Sequence, residues 1–303
     1  MSQPPEIAVV GSINLDLSID VERFPNPGET VLGRGLARGG GGKGANQAVA
    51  AARLGRRVAM VGRVGDDADG TSLAAALTHE GIDMSAVRVA ESSPTGLALI
   101  EVDPSGENRI VVVPGANATV EPADLEAAAD RLDQAAVILA QLEVPVEVVE
   151  ALAARPRNGR LILNPAPAVG VALAGIDLVV PNRSELAVLA GEAEAASIDE
   201  VVDQLGSLAD GPPAAVVTLG SDGALVVDGL GSASPSVELV PAVEVAVVDT
   251  TGAGDAFCGG MADALCLGAD LLEAARWATR VAAVAVTRPG AWSALPRRAE
   301  LLA

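Results

Sequence analysis

Short aliphatic, largely β-branched runs recur along the chain at 7–10, 58–61, 136–140, 161–163, 178–180 and 215–219, separated by longer Ala- and Leu-rich amphipathic stretches. A strand buried on both faces reads as such a continuous run, whereas a helix lying on a sheet shows polar positions on every turn. The stretches 45–54, 71–80, 122–132, 145–154, 184–190 and 199–208 read as those helices, with Pro, Asp and Gly placed as starts and stops. The alternation predicts an α/β fold: a three-layer, doubly wound, mostly parallel sheet flanked by helices. Two segments break the rhythm, roughly 15–38, with its FPNPGE turn, and 87–113, which reads as three short strands with a polar turn at 103–106. They are expected to form one small antiparallel β-sheet lying as a lid over the main domain. No repeat, charge run or linker divides the chain, so 1–303 reads as a single domain.

Composition narrows the site chemistry. Hydrophobic residues make up 50% of the chain but aromatics 1%, with no Tyr, so the core must be Ala, Val, Leu and Ile and a ring-stacking site is not expected. The formal charge of −20 repels phosphate backbones and anionic bilayers, which argues against nucleic acid and membrane partners. It repels a nucleotide as well, so an ATP site must gather backbone N–H donors and a metal locally. Cys258 and Cys266 lie in one helical stretch, too far apart on a rigid helix for a disulfide, and His79 is the single histidine, leaving no His/Cys metal cluster. The opening MSQPPEIAVVG lacks the basic and apolar regions of a signal peptide, and no apolar run approaches the ~18 residues of a membrane span. The expectation is a soluble cytoplasmic protein.

Candidate chemistry concentrates in three kinds of place. Residues 248–257 run from a strand end through Gly252, Ala253 and Gly254 into a helix. Backbone N–H groups left free there, at the positive end of the helix dipole, make an anion site. Asp255 then faces bound phosphate, a costly position for a carboxylate unless it accepts a proton from an attacking hydroxyl. It also suits a plain first-turn acid. Gly39, Gly41 and Gly44 satisfy G-x-G-x-x-G formally, but residues 35–38 do not read as a sheet-core strand, and Gly44 stands where a Walker A loop needs Ser or Thr. What remains is a loop offering Lys43 and Asn46 to a polar ligand, or a glycine hinge feeding a helix. Asn14, Asp16 and Glu143 follow strand ends, where open parallel sheets gather their ligands and where turns also place polar residues. Asn182 and Glu185 form a capping-box pattern or stand near a magnesium–phosphate cluster. The run Thr218, Leu219, Gly220, Ser221, Asp222 and Gly223 is a hairpin turn or a nucleotide-contacting loop.

Eight stretches, GSINLD (11–16), FPNPGETV (24–31), GGGGKGANQA (39–48), NPAPA (164–168), PNRSE (181–185), TLGSDG (218–223), DTTGAGD (249–255) and AVTRPGA (285–291), together resemble, in order and spacing, the motifs of the ribokinase family of sugar kinases. The resemblance runs from Gly11 to Pro296. It implies a three-layer α/β domain with a β-sheet lid, and lids that pair to make a homodimer. It implies that Asn14, Asp16, Gly42, Lys43, Asn46 and Glu143 hold the sugar, with Asp255 as general base and Gly252, Ala253 and Gly254 as anion hole. It further implies a nucleotide site at Asn182, Thr218, Leu219, Gly220, Ser221, Asp222, Gly223, Gly254 and Thr279, with Glu185 orienting Mg2+ through water. An activating K+ would lie among Asp249, Thr251, Ala285, Arg288, Gly290 and Ala294. The chain departs from the pattern where the family often has Ser and this chain has Ala294, and Trp292 and Ser293 are unusual neighbours. The implied reaction is transfer of the ATP γ-phosphoryl to O5 of D-ribose. 2-Deoxyribose, fructose or a nucleoside are alternative acceptors, and a non-catalytic sugar-binding regulator is the rival outside enzymes.

Overall fold

The computed structural model describes residues 3–208 and 211–302. The first half holds β1 (Ile7–Val10), β2 (Asn14–Val21), β3 (Gly33–Gly41), α1 (Lys43–Arg53), β4 (Val58–Gly65), α2 (Ala68–His79), β5 (Asp83–Ala90), β6 (Gly96–Val102) and β7 (Asn108–Val113). There follow α3 (Pro122–Ala127), α4 (Ala129–Gln134), β8 (Val137–Gln141), α5 (Val146–Ala154), β9 (Arg160–Asn164), β10 (Leu178–Val179), α6 (Arg183–Ala190) and α7 (Ile198–Ser207). The chain ends with β11 (Ala214–Thr218), β12 (Ala224–Asp228), β13 (Ser236–Val240), α8 (Ala253–Cys266), α9 (Leu271–Ala285) and α10 (Arg298–Leu301).

Among the described residues, nine strands form the main sheet in the order β13-β12-β11-β10-β9-β8-β1-β4-β5, all running parallel except β12, which is reversed between β11 and β13 at one edge. Alternate side chains of each strand feed opposite faces: Ile7 and Val9 pack with α1, α2, α8 and α9, while Ala8 and Val10 pack with α3 and α5. That alternation is why the buried runs are apolar at every position. Toward β11, the second face is covered by α6 and α7 instead. Alanines carry much of the first face, with Ala45, Ala48, Ala274, Ala275 and Ala278 all fully buried, so α1, α8 and α9 supply small side chains where aromatics are scarce. Chain order reverses beside β1, which has β4 on one side and β8 on the other. This is the switch point outside which open α/β sheets bind ligands.

The second sheet, β3-β2-β6-β7, is the lid. Its two outer pairings are antiparallel, and β2 runs parallel to β6 between them. Residues 87–90, expected in the lid, belong instead to β5, which pairs in parallel with β4 at the edge of the main sheet. The expected helix 122–132 is broken at Ala128 into α3 and α4. No helix among the described residues is long and apolar enough to cross a membrane.

Candidate active site

Helix α8 begins at Gly252, whose φ of +72° turns the chain from residues 248–251 into the helix. Asp255 sits in its first turn and is 6% exposed. Both carboxylate oxygens are occupied: Asn46 Nδ2 donates to Oδ2 at 2.8 Å, and Gln47 Nε2 donates to Oδ1 at 3.0 Å. Burial pushes this carboxyl above its ordinary range, while the Lys43 charge and the two amide donors pull the other way. A first-turn acid placed only for the dipole would face solvent; this one is enclosed and aimed by two side chains of α1. Ala253 N–H meets the Thr250 carbonyl at 3.1 Å. Of the expected anion-hole donors, Ala253 is therefore committed to the turn, and the uncommitted N–H groups among the described residues are those of Gly252, Gly254 and Asp255.

A cleft of about 210 Å³ opens at this helix end, lined by Lys43, Asn164, Val180, Asn182, Glu185, Thr218 and Thr250 together with Gly252, Ala253, Gly254, Asp255 and Cys258. Larger surface hollows lie elsewhere, one at Arg155–Arg160 and one beside Trp277, but neither touches Asp255. Lys43 is surrounded by acids. Burial lowers its proton affinity, but Asp255, Glu143 and Glu185 together outweigh that and keep it an ammonium. Glu185 is raised, first by burial, and its Oε2 accepts from Asn182 N–H at 2.8 Å in a reciprocal capping box.

Toward the lid, β1 and β8 deliver Ser12 and Glu143 on either side of the switch point. Ser12 Oγ donates to Glu143 Oε2 at 2.5 Å, and Lys43 N–H donates to the same oxygen at 3.0 Å. Asn14, at the start of β2, is buried, with its side-chain Oδ1 held by Asn117 Nδ2 at 2.6 Å. Asp16 lies over β3, where a Cβ on Gly41 would collide with both of its carboxylate oxygens. Next to it Gly42 adopts φ +86°, a turn that brings the start of α1 against Ser12, where Gly44 and Ala45 N–H donate to its hydroxyl and carbonyl oxygens. The Asp16 carboxyl is raised from 3.8 to about 7, by burial first and then by Glu143 and Asp255.

The structure thus brings Asp16, Lys43, Asn46, Glu143, Asp255, Glu185, Asn182 and Thr218 around one region. Thr218 N–H bonds the Pro181 carbonyl at 2.9 Å, which ties the β11 end to Asn182. Leu219, Gly220, Ser221, Asp222 and Gly223 form the β11–β12 turn, with Leu219 buried in the core under it. Thr279 lies in the middle of α9, its hydroxyl spent on the Ala275 carbonyl at 2.9 Å, and it does not line the cleft. Asp249 bridges the two segments expected to hold a cation, accepting from Thr251 N–H at 2.9 Å and Gly290 N–H at 2.7 Å. Burial raises Asp249, but these backbone donors prevail and leave it below its ordinary range. Arg288 pairs with Glu300, and Ala285 and Ala294 are buried, so any oxygen they offer is a backbone carbonyl. Among the described residues no three His, Cys, Asp or Glu side chains form a metal cluster.

Four site residues were missed from sequence: Ser12, Gln47, Asn117 and Asn164. Each lies apart in the chain from the group it holds, as Gln47 does from Asp255, so no local spacing marks it. Three of them, Ser12, Gln47 and Asn164, fall inside stretches singled out above, which was the available signal.

Residues 4–298 match the family model described as pfkB family carbohydrate kinase. The ribokinase of Schizosaccharomyces pombe is 38% identical over 97% of this chain and 96% of its own length. A Salmonella typhi deoxyribokinase is 37% identical over 96% of this chain and 95% of its own. The structure of Arabidopsis thaliana ribokinase complexed with ribose and ATP superposes with a TM-score of 0.85 at 32% identity, covering 99% of this chain and 98% of that one.

Proposed function

The chain belongs to the pfkB family of carbohydrate kinases, and on that premise we propose that it transfers the γ-phosphoryl group of ATP to O5 of D-ribose. The observation that carries the reading is the Asp255 carboxylate, enclosed at a helix N-terminus and held by amide donors on both oxygens. In this reading Asn14, Asp16, Gly42, Lys43, Asn46 and Glu143 hold the sugar hydroxyls. Asp255 accepts the proton of the attacking hydroxyl as its oxygen bonds to the γ-phosphorus and the bond to the β,γ-bridging oxygen breaks, releasing ADP, and Gly252 and Gly254, with Asp255 N–H, receive the equatorial phosphoryl oxygens. Phosphoryl transfer needs little covalent help from protein, so fixing the two reactants in line supplies much of the acceleration. Lys43 offsets the charge gathered there. The nucleotide lies along Asn182 and the turn from Thr218 to Gly223, and Thr279, outside the cleft with its hydroxyl spent on Ala275, is left out of it.

Glu185 fits a hard cation held through water, since its carboxylate lines the cleft and one oxygen is already fixed by Asn182. Bound magnesium would supply charge neutralisation for the phosphates. For potassium, the segments joined by Asp249 offer backbone carbonyls from Thr251, Ala285, Arg288 and Gly290, and Ala294 adds no side-chain oxygen. We place the protein in the cytoplasm, in keeping with the unpaired thiols of Cys258 and Cys266. A second copy would cover the lid sheet, where Leu36, Ile110, Val111 and Val112 are exposed beside the open edges of β3 and β7.

Coupled ADP release on ribose, 2-deoxyribose, fructose and adenosine, each with and without potassium, tests the reading. Ribose is expected to give the highest kcat/KM, through Asp16 meeting vicinal hydroxyls. The deoxyribokinase relative, at nearly the same identity, makes 2-deoxyribose the second reading. Adenosine outperforming both sugars would overturn the assignment.

A further inference from the structure

Trp292 stands outside the groups that meet the reactants, yet it touches two elements that position them, α1 and β3. Its indole Nε1–H donates to Asn46 Oδ1 at 2.8 Å, and Asn46 Nδ2 donates onward to Asp255 Oδ2 at 2.8 Å. The outer edge of its ring lies on lid strand β3, where a Cβ built on Gly40 would stand 2.5 Å from it. Its carbonyl accepts from Arg53 of α1, and its neighbour Ala291 packs over Gly252, with its Cα 3.5 Å from a Cβ built there.

An asparagine amide has a donor end and an acceptor end, and nothing in its shape decides which one meets a neighbour. An indole N–H is a donor only, so it takes the acceptor end of Asn46 and leaves the donor end for Asp255. With the amide reversed, Asn46 would present lone pairs to the carboxylate. Only a protonated Asp255 would satisfy that contact, and a protonated Asp255 takes no proton from an alcohol.

We propose that Trp292 is a positioning residue for the transfer: it fixes Asn46 in the orientation that donates to Asp255 and, through Gly40, links that orientation to the seating of the lid. The inference rests on the kinase reading above and concerns a residue to which that reading gives no role.

Trp292→Phe keeps an aromatic ring at this position, deletes the N–H and withdraws the outer ring edge from Gly40. The loss of one partly buried hydrogen bond predicts a fall of about tenfold in kcat/KM for the sugar near neutral pH. Because the variant's Asn46 is free to reverse, the acid limb of its pH profile moves upward, and the deficit narrows as pH rises. A loss of the same size at every pH, or no loss, overturns the proposal, because a purely structural defect has no such pH dependence. A second measurement keeps the test open should that variant fold poorly. Trp277→Phe leaves Trp292 as the single tryptophan in a chain without tyrosine. Saturating sugar without ATP is expected to shift its emission, and unchanged emission contradicts the link to the lid. A wild-type protein inactive on every sugar sinks the kinase reading itself, whereas an active wild type with an indifferent Trp292→Phe sinks this inference alone.

Discussion

Replacing Asp16 by Asn keeps the side chain's shape and removes its charge, and the structure predicts a stability gain coupled to a loss of sugar affinity. In the free protein the Asp16 carboxyl is raised from 3.8 to about 7, by burial and then by the nearby charges of Glu143 and Asp255. At about 1.36 kcal/mol per unit of pKa, ionising it in the fold costs at most about 4 kcal/mol. Water still reaches this partly exposed group and relaxes around it, so about 2 kcal/mol is expected in practice. Between pH 3.8 and about 7 the folded chain holds the Asp16 proton more tightly than the unfolded chain. Stability therefore falls as pH rises through that window and levels off above it. Asp16→Asn should accordingly outlast wild type in urea at about pH 8, and its advantage should shrink toward nothing as pH approaches about 4. The same change removes a charged acceptor for sugar hydroxyls, so the ribose KM should rise about tenfold or more. Denaturation midpoints at several pH values, without sugar, decide the matter. A variant less stable than wild type at alkaline pH, or one whose difference ignores pH, refutes the reasoning.

Two further substitutions follow from individual contacts. Gly41→Ala drives a methyl into both Asp16 oxygens, so a higher ribose KM with a nearly unchanged ATP KM is expected in steady-state kinetics. Asp124, 1% exposed, holds Arg63 at 2.9 Å and Arg88 at 3.0 Å and caps α3. Asp124→Ala should cost about 3 kcal/mol of stability, read as a lower urea midpoint, while kcat measured below the transition stays near the wild-type value.

The strands most legible in sequence were those buried on both faces. Ile7–Val10 is apolar throughout because each face of the sheet has its own helical layer. Residues 87–90 were misplaced because an edge strand beside the lid has the same mixed pattern as a lid strand; pairing with β4, not local composition, decides its sheet. The break at Ala128 is likewise a tertiary feature, since both flanking turns read as one amphipathic helix. At the site, Lys43, Asn46 and Asp255 could be singled out because glycines and a helix start announce them. Gln47 and Asn117 could not, since their meaning comes from Asp255 and Asn14, about 208 and 103 positions away along the chain. Trp292 was visible as an oddity, but its hydrogen bond to Asn46 exists only in the fold.

The central claim is that Asp255 takes the proton of the attacking hydroxyl, and Asp255→Ala tests it most directly. Single-turnover phosphorylation of ribose should slow by at least ~10²-fold, the range for loss of a general base, while calorimetry still detects ribose and ATP binding. A variant that binds both and transfers phosphoryl within a few-fold of the wild-type rate would contradict the account.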